Sequence, residues 1–194
     1  MRRLLVGLLL LVVVGAGSLG FTSWTVVRPT QGTPIGAGRT AKALLVIDLQ
    51  EDYTGPHAKQ HYPAPDRLMA ANNQLIEAAQ AGGWTVALVR VAFPDNWFYG
   101  MLSGHTAVAG TPGAQFDARL LRPPGFLEIV KTHSDSFSIP LLDSQLDARH
   151  VGELFIAGRV ISCLLPEPTP LLPWPFACCC WAGRARPRPR ARAI

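Results

Sequence analysis

Three side chains whose types suit nucleophilic chemistry stand where apolar runs give way to loops. Asp48 closes "KALLVIDLQ" (42–50), and Lys131 closes "FLEIVKT" (126–132). Cys163, the first cysteine of the chain, follows the run "ELFIAG" (153–158) by five residues. A thiol attacks as its thiolate, so a base and a nearby cation both matter to it. Taken singly, each residue has a plainer account. Asp48 suits a turn or helix cap, a part Asp52 fills equally well, and Lys131 suits a solvated strand end. Cys163 is either the nucleophile or an accident of the altered stretch that begins near it.

The elements that would hold these residues alternate. The continuous apolar run at 42–50 suits a parallel strand buried on both faces, and 84–93, 126–132 and 153–158 read as the second, third and fourth strands. Between the first two, Pro65 and Asp66 suit a helix start and Gly82-Gly83 its end. Leu68, Ala71, Leu75 and Ala79, with Ile76 beside them, fall on one face of that helix. A second, shorter helix is expected in "IPLLDSQLDARH", with Pro140 near its start. Strand and helix in alternation predict an α/β domain with a mainly parallel sheet. Ligands in such sheets bind at the carboxyl ends of the strands. Asp48, Lys131 and Gly158 all close strands, so they gather at that edge.

The stretch "ALLVIDLQEDY" (43–53) resembles the opening motif of the isochorismatase-like cysteine hydrolases. That superfamily holds isochorismatases, nicotinamidases and N-carbamoylsarcosine amidase-type enzymes. "VKTHSDSF" resembles its second motif, "GTPGAQFDARL" the stretch between, and "ELFIAG" the strand before its cysteine. The likeness runs from about residue 42 to 158. It implies a three-layer α/β fold and a triad of Asp48 as general base, Lys131 as its cationic partner and Cys163 as nucleophile. The reaction implied is hydrolysis of an amide or similar C–N bond of a small molecule through a thioester. No cofactor is implied. Assembly into homo-oligomers through surfaces beside the active site is common in the family. Nicotinamidases of the family hold a metal through Asp and His residues after the second strand. Here that region reads "VAFPDNWFYG", without histidine, and His57 and His61 are taken as surface residues.

The pattern then departs from the family, whose cysteine lies six residues after the glycine and is followed by a helix and further strands. Seven of the 17 prolines fall after Cys163. Pro166, Pro168 and Pro170 exclude a helix interior and a central strand. The expected domain is therefore incomplete at its C-terminus, with 159–194 an aberrant Pro/Arg/Cys-rich tail. Its alternating Arg, Pro and Ala suggest a reading frame lost shortly after Gly158, at about Arg159. No further strand is expected to cover the sheet, and an uncovered edge predicts a poorly stable or aggregating chain. The alternative function is an inactive truncated remnant or pseudoenzyme.

Apolar residues make up 48% and charged residues 16%, which excludes global disorder. The net charge of +5 does not mark a nucleic-acid binder. Five arginines sit in "RARPRPRARA", and without them 13 Lys and Arg balance 13 Asp and Glu. Residues 1–24 place Arg2 and Arg3 before a long uncharged apolar run, the order of a signal peptide or membrane anchor. Both options predict an exported domain, periplasmic or held at the cytoplasmic membrane. Residues 25–41, rich in Gly, Pro and Thr, read as a linker.

Overall fold

The computed structural model describes residues 7, 12–18, 20–21, 38–60, 62–133 and 135–159, with the backbone of 179–182 and 192–193. The sheet is built around β1 (Ala41–Ile47). Ala43 to Ile47 are each at most 2% exposed, so apolar material covers both faces of the strand. β2 (Thr85–Val91) and β4 (Val151–Gly158) flank it, parallel on either side. β3 (Leu127–Lys131) adds in parallel outside β2. The four strands expected from the apolar runs are these four, ordered β3-β2-β1-β4.

Four helices accompany them: α1 (Glu51–Thr54), α2 (Pro65–Ala81), α3 (Trp97–Ser103) and α4 (Pro140–Ala148). Alternation along β1 divides the core. Leu44 and Val46 pack with Leu68, Met69 and Ile76 of α2. Leu45 and Ile47 point the other way and pack with Leu142 and Leu146 of α4. The result is the expected three-layer α/β arrangement. The buried stripe of α2 is turned slightly from expectation, through Leu68, Met69, Asn72, Ile76 and Ala79. Asn72 is tolerated there because its side-chain N–H₂ donates to the Leu68 carbonyl at 2.9 Å.

The structure differs from expectation at the outer edge of β4. Two short strands, β5 (Cys179–Ala182) and β6 (Arg192–Ala193), continue the sheet in antiparallel fashion. β5 lies against Glu153–Ile156. The physical reason is that an unpaired edge offers a row of donors and acceptors. The segment 176–182, "FACCCWA", is free of proline and can answer it.

At the other end, residues 12–18 are helical, and Val12, Val13 and Val14 are 60–66% exposed. Among the described residues no helix is long and apolar enough to cross a membrane.

Candidate active site

The order in which strands are added reverses at β1, since β2 and β3 extend to one side of it and β4, parallel to it, lies on the other. A crevice at the carboxyl ends of the strands is expected at such a switch point. Asp48 leaves β1 there with φ of +59°, a left-handed conformation uncommon for a residue other than glycine. The turn is held by its backbone N–H, which donates to the Val89 carbonyl at 2.9 Å. On the β4 side Gly158 also has positive φ, +124°. A side chain at this position would collide with the backbone of Ile47, so only glycine lets the two strand ends close up.

Lys131 approaches from β3, two strand spacings away from β1, about 10 Å. Its long stem carries the ammonium past β2, and Nζ donates to Asp48 Oδ2 at 3.1 Å. The pair is buried, with Lys131 3% and Asp48 8% exposed. The structure thus joins two of the three residues singled out from the sequence, 83 positions apart. Asp48 Oδ1 is buried as well and accepts no hydrogen bond among the described residues. Cys163 lies outside the described residues.

Several residues that hold this corner escaped sequence reasoning. Gln50 is fully buried. Its amide donates to the carbonyls of Val91 at 2.8 Å and Ala114 at 2.9 Å, and accepts from the Val91 N–H at 2.8 Å. The segment after Asp48 is thereby pinned to the end of β2. A lone polar amide three residues after the buried run Ala43–Ile47 was the available signal. Asp52, weighed as a cap, accepts from the Ala107 N–H at 2.8 Å and faces Lys59 Nζ at 3.4 Å. Gly113 lies so close to its carboxylate that any side chain there would displace it.

Thr54 ends α1 by donating to Asp117 Oδ2 at 2.8 Å. Arg119 grips the same carboxylate through Nε at 3.0 Å and a terminal nitrogen at 2.7 Å, and also binds Asp66 and the Thr54 carbonyl. Burial pushes the Asp117 carboxyl up, but the hydrogen bonds from Arg119 and Thr54 outweigh it and leave it below the usual carboxylate range. Tyr53 faces the opposite case. Burial raises its phenol, and the hydrogen bond with Thr106 offsets only part of that rise. Over the Tyr53 ring, 4.0 Å from its centre, lies the guanidinium of Arg159.

Among the described residues the side chains after β2 do not gather into a metal site. In the loop after β2, Asp95 is exposed, and Asn96 spends its side-chain oxygen on the Tyr99 N–H at the start of α3. Phe93 and Tyr99 stack over the remaining space, with ring centres 5.9 Å apart. Among the described residues no cluster of three metal-binding side chains forms. His61 is outside the described residues. His57 instead lines an open groove of about 530 Å³ beside α1, with Glu51, Phe116 and Arg122.

The chain thus has a doubly wound α/β fold with a buried acid–lysine pair at its switch point. The isochorismatase domain model matches residues 42–163, well over half of the chain. The chain belongs to the isochorismatase family, and the match ends on Cys163.

Among solved structures, an isochorismatase family protein from Desulfovibrio vulgaris is 30% identical, with a TM-score of 0.51. That likeness covers 59% of this chain and 64% of the other, slightly under two thirds. Pyrazinamidase of Pyrococcus horikoshii in complex with zinc shows 24% identity and a TM-score of 0.55, over 62% of this chain and 72% of that one. N-carbamoylsarcosine amidase from Thermoplasma acidophilum shows 20% identity and a TM-score of 0.54, over 61% and 68%. The last two likenesses speak for the fold. No curated protein matches the chain.

Proposed function

We propose that this chain is a cysteine hydrolase that cleaves an amide or similar C–N bond of a small molecule, using Asp48, Lys131 and Cys163. The observation that carries the reading is the buried Lys131–Asp48 pair with Asp48 Oδ1 left without a partner among the described residues. Asp48 takes the proton of Cys163 Sγ, and the thiolate attacks the carbonyl carbon. The C–N bond then breaks as that proton passes to the departing nitrogen, leaving a thioester. Water gives its proton to Asp48 and attacks the thioester. The C–S bond breaks, and the sulfur recovers the proton. Lys131 holds the Asp48 carboxylate in place through the cycle by its 3.1 Å hydrogen bond.

The test is release of ammonia from a panel of small primary amides and N-carbamoyl compounds. Turnover is expected for at least one, with a loss of about a thousandfold or more in Cys163→Ser. Turnover unchanged in that variant would dismiss the thioester route. The inactive remnant is the second reading. It is favoured by Pro166, Pro168 and Pro170, which deny Cys163 a following helix whose N-terminus would hold an oxyanion. Rapid alkylation of Cys163 at neutral pH is expected of the enzyme and not of the remnant.

We further propose that residues 1–24 carry the domain out of the cytoplasm, as a cleaved signal or an uncleaved anchor, because Arg2 and Arg3 precede the apolar run. Fractionation of cells expressing the whole chain is expected to place it in the periplasm or the membrane fraction. Recovery in the cytoplasm alone would refute this.

A further inference from the structure

Arg159 follows β4 directly, and its backbone N–H donates to the Ile47 carbonyl at 3.0 Å. This bond continues the β1–β4 ladder by one residue and seats Arg159 beside Asp48. The side chain is half-buried. It crosses the ring of Tyr53 at 4.0 Å and donates one hydrogen bond to Gln60 Oε1 at 3.2 Å. No carboxylate among the described residues comes within ion-pair distance of it. Arg39 pairs with Asp147, Arg90 with Glu128 and Arg119 with Asp117, while Arg122 and Arg149 spend their donors on carbonyl and amide oxygens away from the strand edge.

A guanidinium has five donors in a planar fork, and a half-buried one has lost much of its water. Stacking on Tyr53 fixes its plane and lowers the entropy cost of using the remaining donors. Burial lowers the affinity of Arg159 for its proton, and the nearby Tyr53 and Asp48 counter this. Among the described residues the charges at the strand edge do not cancel. Lys131 and Arg159 face one carboxylate, Asp48, while Asp52 is matched by Lys59. One positive charge therefore awaits an anionic partner, and a planar carboxylate fits the fork in two-point fashion.

We infer that Arg159 is a specificity-determining residue that binds a carboxylate of the substrate, so that the molecule cleaved is an anionic amide. This rests on the hydrolase reading for its site. The carboxylate would lie against the Arg159 fork above Tyr53, with the scissile group toward Asp48.

The test compares two probes of similar size, succinamate (one amide, one carboxylate) and succinamide (two amides, uncharged). Binding to the full chain is measured by calorimetry, alongside ammonia release. Succinamate is expected to bind roughly ten- to a hundredfold more tightly, the span of one charge-assisted hydrogen-bonded pair. That advantage should shrink as sodium chloride is raised. Arg159→Met keeps an apolar stem on Tyr53, and it is expected to bring succinamate down to the level of succinamide while leaving succinamide unchanged. Arg159→Lys keeps the charge without the fork and should fall between.

Equal affinity of the wild-type chain for the two probes, or no binding of succinamate, overturns the inference without any variant having to fold. A preference retained in Arg159→Met also overturns it. A preference that depends on Arg159, with no ammonia released from any amide, sinks the hydrolase reading and leaves the carboxylate site standing.

Discussion

Replacing Lys131 by methionine is expected to lower the unfolding free energy by about 3–5 kcal/mol, the cost of leaving one member of a buried ion pair alone. Methionine keeps the apolar stem that passes β2, so little of the loss is lost packing. Asp48 is 8% exposed, and its Oδ1 has no partner among the described residues. Without the ammonium, the buried carboxylate loses its only hydrogen-bonded cation among the described residues and keeps only the more distant charge of Arg159. Urea unfolding monitored by circular dichroism measures the effect. Combining Lys131→Met with Asp48→Asn should recover a large part of it, because the uncompensated charge is then gone. A single variant within about 1 kcal/mol of wild type would mean that water reaches the pair. Turnover should be lost in both backgrounds, so stability and activity separate in the double variant.

How much of this was legible in the sequence differs between elements for physical reasons. β1 was legible as an unbroken apolar run and is buried on both faces as such runs demand, while β2, β3 and β4 stood out as mostly apolar β-rich stretches that carry Arg90, Glu128 and Glu153. Pro65 and Pro140 marked both longer helices, since proline belongs in a first turn. The one-turn α1 and the aromatic α3 carry too few residues for a period to show. The buried stripe of α2 contains Asn72, a polar residue whose local bond to Leu68 no pattern of apolar residues announces. β5 was illegible because its pairing depends on a free edge far away in the chain.

At the site, Asp48 and Lys131 stood out as acids and bases ending apolar strands, and the fold joins them. Gln50 and Arg159 did not. The value of each lies in backbone carbonyls or aromatic faces contributed by distant segments. Arg159 was marked instead as the place where the frame fails. Its N–H still follows the β1–β4 ladder, and the family match continues through Cys163.

Asp48→Asn is the sharpest probe of chemistry, since it alters one atom. Asparagine still offers an oxygen to Lys131 Nζ, and the left-handed backbone at φ +59° is one that asparagine tolerates about as well as aspartate. The amide cannot take a proton, so kcat/KM is expected to fall by roughly 10²–10⁴, the usual span for general acid–base catalysis. Alkylation of Cys163 by iodoacetamide separates the two halves of the role. In the wild type the reaction should already be fast at neutral pH. In Asp48→Asn the thiol loses a neighbouring negative charge, so alkylation at neutral pH should be no slower while turnover falls. Alkylation slowed together with turnover would mean that Asp48 is needed to form the thiolate as well as to deliver its proton to the departing nitrogen. Turnover retained in Asp48→Asn would remove Asp48 from the chemistry altogether, and the Lys131–Asp48 pair would then be a strut between β1 and β3.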